Sequence, residues 1–350
     1  MQRALRWANA VLVLLTLSSY LSIYLDPGFF WPISILALFY PWLLLLNIIF
    51  IISWVFLRKP YFFYSLGCIL VGWHFLSNFV GLNFNSTTSS TANAIRVMSY
   101  NCHALHPIKG PRGSWKIHHL TQLVAEQKAD IVFFQEFPIL SRIADPLAKE
   151  LAEKCGLKYA YREPRKSLAL FSKYPIGQKN VKYFTNDANG YQYADVSIDE
   201  QTIRVYNIHL QTNALSGIAN KVAKEGNLQE KETWLQIKGM IGRYKKSAKT
   251  RGQQAGEIAA GIQRSPHPII LGGDFNDVPF SYTYHQLSKN LQDAFTKKGS
   301  GLGITFNGSI PALRIDYLLS SPSFKVLDHK ILEEDRSDHF PIISTFQLPQ

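Results

Sequence analysis

The chain has 350 residues, 18% charged and 47% hydrophobic, a size that excludes one small domain and suits a large domain with an accessory region. Its net charge of +12, from 37 Lys and Arg against 25 Asp and Glu, favours anionic partners without choosing among them. Three cysteines, Cys68, Cys102 and Cys155, match no zinc spacing and no disulfide scaffold, so they read as free thiols.

The apolar residues are unevenly placed. From Trp7 to Leu82 almost every residue is apolar, and after Arg6 the only charges are Asp26, Arg58 and Lys59. A membrane-crossing helix needs about 20 apolar residues. Three runs meet that length: Trp7–Leu25, Ile33–Leu57 and Tyr61–Leu82. The first also fits a signal peptide beginning at Arg3 and Arg6, but no small-residue cleavage site follows. Asp26-Pro27-Gly28 and Arg58-Lys59-Pro60 read as tight connections, and Pro41 as a kink or a re-entrant break.

Basic residues favour the cytoplasmic side, so Arg3, Arg6, Arg58 and Lys59 place the N-terminus in the cytoplasm. Three crossings then leave everything after Asn83 outside it, and a bacterial inner membrane is the expected location. The predicted organisation is a transmembrane anchor of about three helices over 1–84, a polar linker over 85–93 (NSTTSSTAN) and a soluble domain over 94–350.

In the soluble domain, short apolar runs bounded by turn residues read as buried strands. They are Ile95–Tyr100, Ile131–Phe134, Leu168–Phe171, Tyr191–Ile198, Ile203–Ile208, Ile269–Leu271, Ile315–Leu319 and Phe340–Phe346. Helices are expected over Trp115–Gln127, Ser141–Cys155, Ala214–Gln263 with a break near Gly226, and Ser281–Ser288. Strands outnumber helices, which favours a two-sheet α/β sandwich over a doubly wound parallel sheet.

Polar residues recur where these apolar runs begin or end: Asn101, Glu136, His209, Asp274, Asn276, Asp316, Asp338 and His339. Each has a local explanation, since Asn and Asp terminate strands and make turns. Together they suit a catalytic rim built on loops held by a rigid scaffold. After Ile269–Leu271, Gly272-Gly273 permits a sharp turn, and Asp274 and Asn276 alternate around Phe275. Such an Asp orients or deprotonates water, and such an Asn donates to a phosphate oxygen. In Ser337-Asp338-His339 the His is a candidate base, and Asp316 a carboxylate able to orient it. Glu136 is a hard oxygen ligand of the kind Mg²⁺ takes.

Six segments carry a resemblance: Ser99-Tyr100-Asn101, Phe134-Gln135-Glu136, Asn207-Ile208-His209-Leu210, Gly272-Gly273-Asp274-Phe275-Asn276, Arg314-Ile315-Asp316-Tyr317 and Ser337-Asp338-His339. In this order they resemble the signatures of the endonuclease/exonuclease/phosphatase superfamily, the DNase I-like proteins, across essentially all of Ala94–Gln350. The resemblance implies a four-layer α/β sandwich and a Mg²⁺-dependent hydrolase of phosphoric esters, with Mn²⁺ as an alternative ion. It also implies roles. Asn101, Glu136 and Asp338 would lie at the metal, Asp274 and Asn276 at the attacking water and the phosphate, and His339 with Asp316 behind it at the phosphate. His209 resembles a second histidine that contacts the phosphate or protonates the leaving oxygen.

Gln211 and Asn213, just past His209, are candidate substrate-binding residues. The basic stretch that follows includes Arg243-Tyr244-Lys245-Lys246 and Lys249-Thr250-Arg251. It reads as a solvated helical face or as a surface for an anionic membrane or phosphorylated substrate. The expected function is a membrane-anchored phosphodiesterase or phosphatase acting on lipid headgroups or small phosphate esters. The alternatives are a nuclease, for which nucleic acid is a substrate only, and a catalytically inert binding module. No protein partner is inferable.

Overall fold

The computed structural model describes residues 2–76, 78–83, 93–106, 117–184, 188–213, 229–308, 313–334 and 336–349. The expected linker, apart from Asn93, lies outside these residues, as do 214–228 of the basic stretch.

The N-terminal part is helical: α1 (Gln2–Ser19), extended by a 3-10 turn over Tyr20–Ile23, then α2 (Pro27–Phe30), α3 (Pro32–Leu38), α4 (Tyr40–Phe56), α5 (Phe62–Val71) and α6 (Trp73–Leu76). Asp26 caps α2 by accepting from Gly28 N at 2.6 Å. Proline stands in the first turn of α2, α3 and α4, where its missing N–H costs nothing.

The expectation of three membrane spans needs correction. Among the described residues only Gln2–Ile23 is one helix long and apolar enough to cross a membrane. The pair Pro32–Leu38 and Tyr40–Phe56 reaches that length jointly but is bent by 64°. Phe39 leaves helical geometry there (φ −92°, ψ 5°), and the ring of Pro41 opposes a continuous helix by crowding the carbonyl four residues back. Helix α5 stops where Gly72 leaves the helix, and its 10 residues span only about 15 Å.

The rest of the chain adds β1 (Gly81–Leu82), β2 (Ala94–Asn101), α7 (Ile117–Gln127), β3 (Ile131–Gln135), α8 (Ser141–Cys155), β4 (Tyr159–Arg162), β5 (Ala169–Ser172) and β6 (Ile176–Tyr183). There follow β7 (Gly190–Ile198), β8 (Gln201–His209), α9 (Lys231–Gln263), β9 (Ile269–Asp274), α10 (Tyr282–Ser288), β10 (Gln292–Asp293) and α11 (Ala294–Lys298). The last strands are β11 (Ser300–Gly301), β12 (Asp316–Ser320), β13 (Lys325–Ile331) and β14 (Ile342–Gln347).

Two six-stranded sheets form, in the orders β13-β14-β2-β3-β5-β4 and β10-β12-β9-β8-β7-β6. Their central strands, such as β3 and β9, are buried on both faces, as strands covered from both sides must be. Ile95, Val97, Ile131 and Phe133 of the first sheet meet Val196, Val205, Ile270 and Leu318 of the second. Their strand neighbours Met98, Val132 and Phe134 point the other way, onto Leu120, Val124, Leu147 and Leu151 of α7 and α8. On the outer face of the second sheet, Tyr206, Leu271 and Leu319 pack against Ala255, Ile258 and Ile262 of α9. The result is the expected mixed α/β sandwich, helices outside and sheets inside.

The helical N-terminus is fastened to this sandwich. Tyr20, Ile23, Ala37, Tyr40 and Cys68 pack with Val278, Phe280, Leu313 and Ile315 in one apolar cluster. Ser22 Oγ donates to the Phe280 carbonyl at 2.6 Å, Arg314 Nη2 to the Asn78 carbonyl at 2.7 Å, and β1 pairs antiparallel with β11. At the opposite end of these helices Arg6 lies over the Tyr61 ring, and Trp54 Nε1 donates to Asn9 Oδ1.

Candidate active site

Strand register brings the predicted polar residues together. β2 and β3 run parallel and end side by side, Asn101 opposite Gln135, so Asn101 and Glu136 leave the first sheet at one rim. β8 and β9 also run parallel, with His209 opposite Asp274, and antiparallel β12 begins where β9 ends, with Asp316 opposite Asp274. The segment entering β14 closes the rim. Ser337 Oγ donates to the Asn101 carbonyl at 2.8 Å and accepts from His339 N at 3.2 Å.

The turn chemistry is local. Gly273 has φ 143°, and a Cβ there would lie 2.0 Å from the Ile208 carbonyl oxygen, so only glycine fits. Glu136 and Asn276 are non-glycine residues in the left-handed region, at φ 49° and 53°. Backbone of that kind is costly and gathers at functional sites.

Asp274, Asp316, His339 and His209 form the buried floor, their side chains 6% exposed or less. Asp274 Oδ2 accepts from Asn101 Nδ2 at 3.0 Å and Asn276 Nδ2 at 3.1 Å, while Oδ1 accepts from Asn276 N at 2.8 Å. His339 Nε2 lies 3.7 Å and His209 Nε2 3.6 Å from Asp274 Oδ2. Neither ring nitrogen of His209 has a hydrogen-bond partner among the described residues. Burial favours a neutral His339, but the carboxylates of Asp316 and Asp274 outweigh it and push the imidazole pKa up to about 10.

The mouth of the site is more open. Glu136 and Asp338 stand on either side of His103, whose Nδ1 is 3.5 Å from Glu136 Oε2 and 3.6 Å from Asp338 Oδ1. Burial works to raise the Glu136 carboxyl, yet His103, His209 and His339 hold it down at about 2. His103 is raised in turn, chiefly by its contact with Glu136. Asn101 bridges floor and mouth: its amide donates to Glu136 Oε1 at 3.3 Å as well as to Asp274, and its Oδ1 accepts from His103 N.

Of the residues expected from the sequence, Asn101, Glu136, His209, Asp274, Asn276, Asp316, Asp338 and His339 all meet at this rim. Asn213 reaches it through a 3.4 Å bond from Nδ2 to the Asn276 carbonyl, with its Oδ1 held by Arg251 Nη1. Gln211 stands farther back. Its backbone N donates to Gln254 Oε1, and its side chain donates to the Thr212 carbonyl. Sequence reasoning missed His103, which ends no apolar run and sits in a left-handed turn at φ 46°. It also missed Arg251, a fully buried side chain of α9 whose Nε donates to Asp277 Oδ2 at 3.0 Å. The only available signal for His103 was its place two residues after Asn101.

The donor set suits a divalent cation. Asp274, Asp316 and His339 offer ligand atoms within 4.8 Å of one another, and Glu136 and Asp338 add two further carboxylates. Among the described residues no Lys or Arg pairs with any of these four carboxylates, and the ion-pair partners they have are histidines. Hard oxygens with their charge so incompletely balanced are the preferred surroundings of Mg²⁺ and its relatives.

The chain resembles an endonuclease/exonuclease/phosphatase from Beutenbergia cavernae (18% identity, TM-score 0.53, covering 74% of this chain and 72% of that one). It also resembles an endonuclease/exonuclease/phosphatase from Bacteroides vulgatus (17%, 0.51, 73% and 100%) and humanized D. rerio TDP2 (14%, 0.51, 73% and 99%). At these identities the likeness is one of fold. No match was found among curated proteins. Residues 2–79 match the model of a domain of unknown function (DUF8431). Residues 98–339 match the model of the Endonuclease/Exonuclease/phosphatase family, whose members are hydrolases of phosphoric esters, many of them metal-dependent. With more than half of its length matched, the chain belongs to the endonuclease/exonuclease/phosphatase family.

Proposed function

We propose that this chain is a membrane-anchored, Mg²⁺-dependent phosphodiesterase or phosphatase whose site works outside the cytoplasm on phosphate esters. The observation that carries the reading is His209: a buried imidazole with two unbonded nitrogens, aimed between Asp274 and Glu136. Buried polar groups are normally bonded, so an exception at a cluster of carboxylates marks the place of a ligand. A phosphate oxygen bearing the leaving group supplies the missing partner.

Glu136 and Asp338 would hold the cation, since they are the more accessible carboxylates, whereas both oxygens of Asp316 face His339 Nδ1. When bound, a divalent cation supplies charge neutralisation at the phosphate. The remaining chemistry belongs to side chains. Asp274, fixed by three hydrogen bonds, orients the attacking water and accepts its proton. The charged His339 stabilises the negative oxygens of the transition state, Asn276 holds Asp274 in place with an amide that donates to Asp274 Oδ2 and to the Leu210 carbonyl, and Asp316 keeps the proton of His339 on Nδ1 so that Nε2 faces the phosphate. His209 donates to the leaving oxygen.

Three observations support the membrane reading. Large apolar side chains such as Trp7, Leu14, Ile52, Phe56 and Val71 are exposed on α1, α4 and α5, and only 28% of the apolar window in Gln2–Ile23 is buried. A core helix of a soluble protein would be mostly covered. The basic residues Arg3, Arg6, Arg58 and Lys59 lie at or near the end of the bundle where Arg6 meets Tyr61, and the sandwich is fastened at the other end. That arrangement fits a cytoplasmic N-terminus and a site on the opposite side.

The test is turnover by the full chain in detergent or nanodiscs, with Mg²⁺ and with a chelator. The panel is a chromogenic phosphodiester, phospholipid vesicles and plasmid DNA. Hydrolysis of an ester that disappears with chelator and in Asp274→Ala supports the reading. Hydrolysis of DNA alone, or turnover indifferent to the chelator, overturns it.

A further inference from the structure

Helix α9 is about 50 Å long, and the sheet uses only its second half. Ala255, Ile258 and Ile262 pack on β8 and β9, whereas Lys231–Thr250 runs on past the sheet. This first half lies on the N-terminal helices instead. Tyr244 and Ala248 pack with Ile35, Leu38 and Met240, Tyr244 OH donates to the Ser34 carbonyl at 2.7 Å, and Lys245 Nζ lies 5.5 Å from the centre of the Trp31 ring.

Beside that packed face runs an exposed one. Lys238, Ile241 and Lys245 are spaced at intervals of three and four, which stacks them along one side of the helix. Leu235 (52% exposed) and Lys246 flank the stripe, and Ile241 is 41% exposed. An exposed stripe that mixes Leu and Ile with Lys is the pattern of a helix lying in the headgroup layer of a membrane.

Its position in the molecule agrees with its composition. The helix packs on the connection between α1 and α4, which carries the exposed aromatic side chains Tyr24, Phe29 and Phe30. Aromatic residues of this kind collect at the membrane–water boundary. Helix α3, on which Tyr244 rests, is turned 64° from α4, so it lies closer to the membrane plane if α4 crosses the membrane. The exposed stripe of α9 begins beside these aromatic residues, where Lys245 lies over the Trp31 ring next to Phe30.

We infer that the first half of α9 is an interfacial helix that binds the anionic lipid surface of the bilayer holding the N-terminal helices, with Leu235 and Ile241 in the apolar layer and Lys238 and Lys245 at the headgroups. This rests on the reading of those helices as membrane-embedded. The same helix grips the segment after His209. Ser247 Oγ donates to the Thr212 carbonyl at 3.0 Å, and Arg251 Nη1 to the Gln211 carbonyl at 3.0 Å and to Asn213 Oδ1 at 2.6 Å. Lipid contact thus bears on the wall of the active site.

The experiment places an environment-sensitive fluorophore on Ile241→Cys, Ile52→Cys or Gln253→Cys in the full chain, reconstituted in phosphatidylcholine nanodiscs with and without phosphatidylglycerol. Quenching is read with spin-labelled lipids. The inference expects quenching at 241 and at 52 but not at 253, with the signal at 241 increasing with phosphatidylglycerol. In Lys238→Glu the dependence on phosphatidylglycerol at 241 weakens about fivefold. Quenching at 52 without quenching at 241 overturns the interfacial helix alone, because the anchor is then intact. Absence of quenching at both overturns the membrane reading beneath it as well.

Discussion

His339 Nδ1 lies 2.9 Å from one oxygen of Asp316 and 3.1 Å from the other, and both side chains are buried. The two residues are 23 apart in sequence and enter the rim from opposite sheets, His339 ahead of β14 and Asp316 at the start of β12. Asp316 is itself fixed through its backbone N, which donates to Thr305 Oγ at 3.1 Å. The pair therefore ties the two layers together at the point where chemistry is expected.

Replacing Asp316 by Asn keeps the shape of the contact and removes the charge that holds the His339 proton. Turnover in D316N is expected to fall by about 10²–10⁴-fold, as when the carboxylate behind a catalytic histidine becomes an amide. The purified variant should retain its far-ultraviolet circular dichroism. A variant turning over within threefold of the parent would remove Asp316 from the machinery.

His209 makes a sharper forecast, because it is assigned to the leaving oxygen. H209A should lose about 10²–10³-fold on an alkyl phosphate diester but much less on a p-nitrophenyl ester, whose leaving group needs no proton. Rates on the two esters, compared between parent and variant, measure the difference. Equal losses on both would show that His209 binds phosphate instead of donating a proton.

Glu136 and Asp338 face each other across His103 and are assigned to the cation. E136Q should raise the Mg²⁺ concentration needed for half-maximal rate by about tenfold or more, with the rate at saturating metal less affected. Titration of activity with Mg²⁺ checks this. A variant whose maximum falls while its metal requirement stays fixed would move Glu136 to another role.

The rim was legible because it is made of strand ends. Asn101, His209, Asp274 and Asp316 each stand where an apolar run stops or starts, and an apolar run is the clearest mark a sequence carries. His103 left no such mark, since its position depends on a left-handed turn after Asn101. Strands β6 and β13 were missed for a related reason: their sequences, Ile176–Tyr183 and Lys325–Ile331, are largely polar, as edge strands tend to be. Arg251 lay within a stretch read as a solvated basic face, and only the fold reveals that Asp277 and Asn213 enclose it. In the N-terminal region Pro41 did signal the break that the structure shows beside Phe39, but apolar length alone could not show that α5 ends at Gly72, so three spans were expected where, among the described residues, one helix is continuous.

His329, away from the rim on β13, sets a pH dependence that needs no metal. Its ring is buried, with Nδ1 2.8 Å from Ser344 Oγ and the Phe295 ring edge-on against it. Burial lowers its pKa to about 4, against about 6.5 for a free histidine. Between those values the unfolded chain binds a proton that the folded chain refuses, so acid favours unfolding. The contribution is complete above about pH 6.5 and is lost progressively as pH falls toward 4, by up to about 3 kcal/mol. H329Q removes the titration while keeping a side chain able to bond Ser344. The melting temperature of the parent should therefore drop relative to H329Q as pH is lowered from 6.5 to 4, in the full chain held in detergent. Parallel curves for the two proteins over that interval would mean that His329 is already protonated in the fold, or that water reaches it.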